Sequence, residues 1–145
     1  EFIKSLAEVK KASIITNAEV GLIEKNIEKA VIQACDEIIA GKLHEEFIVD
    51  PIQGGAGTSM NMNVNEVIAN RASEILGGIK GEYKMVHPND HVNYGQSTND
   101  VIPTAGKLTT YKLLLKAIEE LKRLYSSLKE KSVEFDDVIK MGRTQ

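Results

Sequence analysis

With one cysteine in 145 residues and no long apolar run, basic cluster or low-complexity segment, the chain is excluded from several classes of protein. Cys35 sits in the apolar run Ala30-Val31-Ile32-Gln33-Ala34-Cys35, where a buried structural thiol is expected rather than a nucleophile. Such sparse use of cysteine points to a reducing compartment. No stretch approaches the ~20 apolar residues that a membrane helix needs. The opening Glu1-Phe2-Ile3-Lys4 lacks a signal-peptide pattern, so a cytoplasmic protein without a membrane partner is expected. A net charge of −3, with Lys and Arg interleaved among Glu and Asp, leaves no footprint for nucleic acid. Missing too are a Ser/His/Asp set around a nucleophile elbow, a Cys/His pair suited to catalysis, and paired carboxylates in an apolar setting.

What is present, 42% hydrophobic and 27% charged residues, suits one globular domain with a real core. The apolar periodicity makes that core all-α. Ile3, Leu6, Val9 and Ile14 form one short stripe. Val20, Ile23, Ile27, Ala30, Val31, Ala34 and Ile38 form a second, for which Asn17 is the expected N-cap and Gly41 the stop. Residues 42–59 lose the period, and Phe47-Ile48-Val49 before Asp50-Pro51 reads as an extended segment entering a turn. A third helix is expected from about Met60 to Leu76, with Met60, Val64, Val67, Ile68, Ala72 and Ile75 inward and Asn61, Asn65 and Glu66 on the opposite flank. After a second irregular stretch, Pro103 is expected to open the longest helix. Its seam, Leu108, Tyr111, Leu115, Ile118, Leu121, Tyr125 and Leu128, repeats near 3.5 residues, as in helices that pack lengthwise in bundles. Glu119 stands four residues before Arg123 to support the outer face. The final Met141-Gly142-Arg143-Thr144-Gln145 reads as a chain cut rather than finished, with packing partners in other sequence or other subunits.

Two segments carry candidate chemistry. Gly54-Gly55-Ala56-Gly57-Thr58-Ser59 feeds a helix start, where free amides favour an anion, although alone it reads first as a tight turn. It lacks the Gly-Lys-Ser/Thr of a phosphate loop and the third glycine of a dinucleotide fingerprint. His87-Pro88-Asn89-Asp90-His91-Val92-Asn93 and Gln96-Ser97-Thr98-Asn99-Asp100 form the densest polar stretch. Pro88 between the two histidines, and no Glu after His87, argue against a metal pair. Ser97, Thr98 and Asn99 read either as helix caps or as a neutral donor set for a carboxylate. The inventory suits a small dicarboxylate better than a phosphate, a metal or a sugar.

These motifs, with Asn61-Met62-Asn63-Val64-Asn65-Glu66 and the terminal Gly142-Arg143-Thr144-Gln145, resemble the aspartase and class II fumarase superfamily in order and spacing, over essentially the whole chain. Gly-Gly-Ala-Gly-Thr-Ser, Gly81-Glu82-Tyr83, Thr98 and Gln145 look like the aspartase branch, while His87 and residues 64–72 look fumarase-like; the balance falls to the aspartases. The resemblance implies an almost all-helical, three-domain subunit in a homotetramer, with a central bundle of long helices and each active site shared by three subunits. Residues 1–98 would be most of the N-terminal domain and 99–145 the start of the central one.

Implied further is a carbon–nitrogen lyase that removes a β-proton from aspartate and expels ammonia through an enediolate, giving fumarate reversibly. Thr58, Ser97 and Thr98 match positions that bind the β-carboxylate, and Asn99 the residue near the amine. Thr144 and Gln145 match contacts to the other end of the substrate in a neighbouring subunit's site. His87, Asn89 and Asp90 match a second, non-catalytic anion site. No metal or organic cofactor is implied in the chemistry, though magnesium activates some relatives. The serine taken as the general base lies on a loop outside these residues, so the chain alone is expected to be inactive. The alternatives are a fumarase and a non-enzymatic relative such as the lens crystallins.

Overall fold

A computed structural model describes residues 1–142: four α-helices, two short helical turns (His44–Glu46 and Pro88–Val92) and irregular connections, with no strand among the described residues. The architecture is all-α. Two compact units divide at Thr109 and Thr110.

In the first unit, α1 (Phe2–Glu19) packs on α2 (Lys25–Ile39), and α2 packs on α3 (Thr58–Ile75). Helix α2 therefore lies between the other two. Its stripe behaves as the periodicity requires: Ile27, Ala30, Val31, Ala34 and Ile38 are all buried. Gly41, at φ +94°, turns the chain out of the helix while Gly41 and Lys42 donate back to the carbonyls of Ile38 and Glu37 at 2.9 Å each. Arg71 of α3 clamps Glu37 of α2 through two bonds of 2.7 and 3.0 Å and also reaches Glu74 of its own helix at 3.2 Å. That pairing with Arg71 holds the Glu37 carboxyl below the usual range.

Several expectations are corrected. Asn17 caps nothing, since α1 runs through it to Glu19, and its amide donates to the Tyr94 carbonyl at 2.9 Å. Helix α2 starts instead after Glu24, and Val20 is exposed rather than part of its stripe. The buried face of α1 is Leu6, Ala7, Lys10, Ile14 and Ala18, with Ile3 and Val9 at its margin. On α3, Asn61 and Asn65 are not on the outer flank: both are buried.

Residues 42–57 are pinned from α3, since Asn63 donates to the Glu46 carbonyl at 3.1 Å and accepts from the Val49 amide at 3.4 Å. The stretch after α3 is held by Val86 and Val92, both fully buried, and by a π-helical turn, Pro88–Val92, that packs on α3.

Helix α4 (Thr98–Glu134) begins five residues before Pro103, which lies inside it. Its opening residues Val101 and Ala105 belong to the core of the first unit. In the second unit the rest of the helix is exposed, the seam included: Tyr111 is 63% and Leu128 61% accessible. Its outer ion pairs are spaced three apart, Lys122 with Glu119 and Arg123 with Glu120, not Glu119 with Arg123. Such exposed pairs contribute at most about 0.5 kcal/mol each. Among the described residues no helix is long and apolar enough to cross a membrane.

Candidate active site at two helix starts

The glycine-rich loop delivers α3 to the start of α4. Gly57, at φ +84°, is the residue before Thr58, and its α-carbon faces α4 so closely that a β-carbon there would stand 3.1 Å from both Cγ1 and Cγ2 of Ile102. One turn into α3, the buried Asn61 donates from Nδ2 to Thr98 Oγ1 at 3.4 Å. These two contacts bring the start of α3, which carries Thr58, near the start of α4, which follows Ser97 and carries Thr98 and Asn99; each helix start has unpaired amides and a positive dipole end.

The side chains there are largely uncommitted. Ser97 stands just before the first residue of α4, and Asp100 reaches back to accept from the Ser97 amide at 2.9 Å, the acid's half of a capping box. That spends the one carboxylate of this turn on the backbone. Thr58, Ser97 and Asn99 are exposed, Thr98 half-buried, and the hydroxyls of Thr58 and Ser97 and the amide of Asn99 make no hydrogen bond within the described residues. Alanine at position 57 would meet both the left-handed backbone and Ile102. Gly57→Ala is therefore expected to cost about 1–2 kcal/mol, a figure typical of left-handed strain, seen as a lower urea midpoint.

Behind Thr98 lies a chain of amides that the sequence did not disclose. Lys10, fully buried on α1, donates to Asn93 Oδ1 at 2.8 Å and Gln96 Oε1 at 3.0 Å. Asn93 Oδ1 also accepts from Asn61 Nδ2 at 3.2 Å. Burial pushes the Lys10 amine down to about 7, against a small opposing influence of Cys35. No carboxylate pairs with it among the described residues. A lysine among apolar neighbours on a helix leaves no periodic signal to find it by.

The residues of the implied second anion site, His87, Asn89 and Asp90, share the π-helical turn. There the ring of His87 accepts at Nδ1 from the Asn89 and Asp90 amides at 3.2 and 3.1 Å. Asp90 Oδ2 approaches the same nitrogen to 3.3 Å. His91 takes the His87 amide on Nδ1 at 2.9 Å, and burial lowers its pKa, partly opposed by Asp90. Among the described residues no group of three or more His, Cys, Asp or Glu could hold a metal ion. Thr144 and Gln145 lie outside the described residues.

Residues 2–145 match the family model described as Lyase, and the chain belongs to this lyase family. It is 57% identical over 144 residues to the aspartate ammonia-lyase of Bacillus subtilis, covering 99% of this chain and 30% of that protein. Among solved structures it is similar to the cobalt-bound "fumarate lyase:delta crystallin" of Brucella melitensis, with TM-score 0.89 and 49% identity over 99% of this chain and 31% of that one. It is also similar to the class II fumarase of Schistosoma mansoni, with TM-score 0.87 and 43% identity over 99% of this chain and 30% of that one. The chain thus spans about 30% of the curated relative's length.

Proposed function

We propose that this chain is the part of an aspartate ammonia-lyase that supplies the carboxylate-binding half of the active site. The observation that supports the reading is the approach of the α3 and α4 starts, with Gly57 against Ile102 and Asn61 bonded to Thr98, at the residues Thr58, Ser97 and Thr98 that carry hydroxyls. In this reading residues 1–98 are most of the N-terminal domain and 99–145 open a bundle completed by other subunits of a homotetramer. The exposed apolar seam of α4 supports that assembly.

The chemistry follows from charge. Removing the β-proton of aspartate is unfavourable because the adjacent carboxylate becomes an enediolate with a second negative charge. Donors fixed before the reaction and aimed at that carboxylate bind the enediolate more strongly than the substrate, and this difference lowers the barrier. Thr58, Ser97 and Thr98 take that role, Asn99 stands at the departing amine, and Thr144 and Gln145 serve the other end of the substrate in a neighbouring site. Gln145 does not titrate, so the proton passes to a base elsewhere in the full-length protein. His87, Asn89 and Asp90 form a second anion site only if the His87 ring releases the two amides it now accepts.

The likeness to the Schistosoma fumarase keeps a second reading open, addition of water instead of ammonia. Supplying the full-length protein with fumarate, first alone and then with ammonia, separates the two. Aspartate formed only when ammonia is present is the expected result, and malate formed from fumarate alone overturns the proposal.

A further inference from the structure

We propose that Lys10 and Asn61 are positioning residues for this site: Lys10, acting through Asn93, sets the direction of a hydrogen-bond chain in which Asn61 donates to Thr98 and leaves the threonine proton to a bound carboxylate. The inference deepens the reading of Thr98 as a carboxylate donor and rests on it.

The direction follows from which atoms are able to donate. An amine nitrogen carries at least two N–H bonds whether charged or neutral, and those of Lys10 are spent on Asn93 Oδ1 and Gln96 Oε1. With its N–H bonds used in this way, Lys10 meets an oxygen from each amide. Their nitrogens find fixed acceptors on the other side, since Asn93 Nδ2 donates to the Gln96 carbonyl at 3.0 Å and Gln96 Nε2 to the Val92 carbonyl at 3.0 Å. Neither amide turns over without setting its NH2 against the amine and its oxygen against a carbonyl.

Asn93 thus presents an oxygen to Asn61, and Asn61 must answer with its own NH2. The second hydrogen of that NH2 points at Thr98 Oγ1 at 3.4 Å, a separation at which it orients the hydroxyl more than it binds it. A hydroxyl has a single hydrogen. With a donor on its inner side, Thr98 directs that hydrogen away from Asn61 and leaves it for a bound carboxylate. The fold bears a cost for this arrangement: Asn61 Oδ1 is buried and accepts no hydrogen bond within the described residues, and Lys10 is buried without an acid. Groups left in such a state reduce stability, and neither is needed to fill the core, where a leucine or methionine would serve.

The test is a double-mutant cycle on kcat for aspartate in the full-length protein. Thr98→Ala, Lys10→Met and their combination are made, and Asn61→Leu is made in both Thr98 backgrounds. Lys10→Met and Asn61→Leu should each lower kcat about tenfold with a smaller change in KM, since the bond they prepare strengthens in the transition state. Neither should have a further effect once Thr98 is alanine, because contacting groups that act through one another are non-additive. Asn61→Leu removes an unpartnered buried oxygen, so its Tm should not fall. A merely structural role predicts the reverse on both counts: losses that multiply in the combined variants, and activity that follows Tm.

Multiplying losses, or wild-type kcat in Asn61→Leu, overturn the proposal and leave the role of Thr98 standing. An unchanged kcat in Thr98→Ala alone overturns the site reading, and the proposal with it. If Lys10→Met does not fold, the Asn61→Leu arm decides the question by the same criteria.

Discussion

Thr98→Ala in the full-length protein is expected to lower kcat for aspartate about a hundredfold, the usual consequence of deleting one preorganised donor to a developing oxyanion, roughly 3 kcal/mol. The unfolding midpoint should hardly move. Thr98 is half-buried at the first position of α4, and the one bond its hydroxyl makes within the described residues is the long one from Asn61. The bond that ties the Ser97 amide to Asp100 at this helix start does not involve the Thr98 hydroxyl, so it survives the change. Away from caps and core, a truncation of this kind stays within about 0.5 kcal/mol of wild type. A large kinetic loss beside a small thermodynamic one is the mark of a group that contributes in the transition state. Steady-state assay of fumarate release, with urea unfolding of the same sample, checks both halves. Unchanged turnover removes Thr98 from the site, and parallel loss of activity and stability makes it a structural residue.

The stripes of α2 and α3 were legible because burial of one helix face imposes a 3.6-residue period that survives in the sequence. Where that signal is broken, the reading went astray for identifiable reasons. Asn17 is a strong capping residue by type, but its amide is used by the Tyr94 carbonyl, 77 positions away, and no local pattern carries such a contact. Pro103 suits a first turn, yet the donors at Thr98, Asn99 and Asp100 start the helix earlier, and a proline six residues in is still close enough to the end to be tolerated. Polarity alone sends Asn61 and Asn65 outward, whereas Asn61 faces a network built from α1, α3 and the turn around Asn93. The site shows the same division. The reading of Ser97, Thr98 and Asn99 as donors for an anion rests on their types, and the link to Thr58, some forty positions earlier, rests on the family resemblance. The structure supplies the physical cause of that link, Gly57 against Ile102.

The second large effect concerns stability and pH, and it tests the burial of Lys10 without reference to catalysis. Burial lowers the Lys10 amine from its ordinary 10.5 to about 7 and raises the facing Cys35 thiol of α2 from 9.0 to about 12, with Asp36 adding to the latter and Lys11 and Lys10 opposing it. Between pH 7 and 9 the unfolded chain holds the lysine proton more tightly than the folded chain does, so stability rises with pH, by at most about 1.4 kcal/mol per unit. Above pH 9 the unfolded thiol begins to ionise while the folded thiol stays protonated, which opposes the lysine with equal slope. Stability should therefore gain about 2 kcal/mol from pH 7 to 9, level off to about 10.5, and fall beyond it. His91 and Glu37, whose pKa values are lowered, act below this window, where stability declines as the pH falls beneath their ordinary values. Urea unfolding of the chain under reducing conditions, from pH 7 to 11, gives the curve directly. Cys35→Ala should extend the rise to about 10.5, and Lys10→Met should abolish it and leave the fall that begins near 9. A wild-type curve that is flat between pH 7 and 9 would mean that Lys10 keeps an ordinary amine in the folded chain and that its burial does not disfavour the charged form.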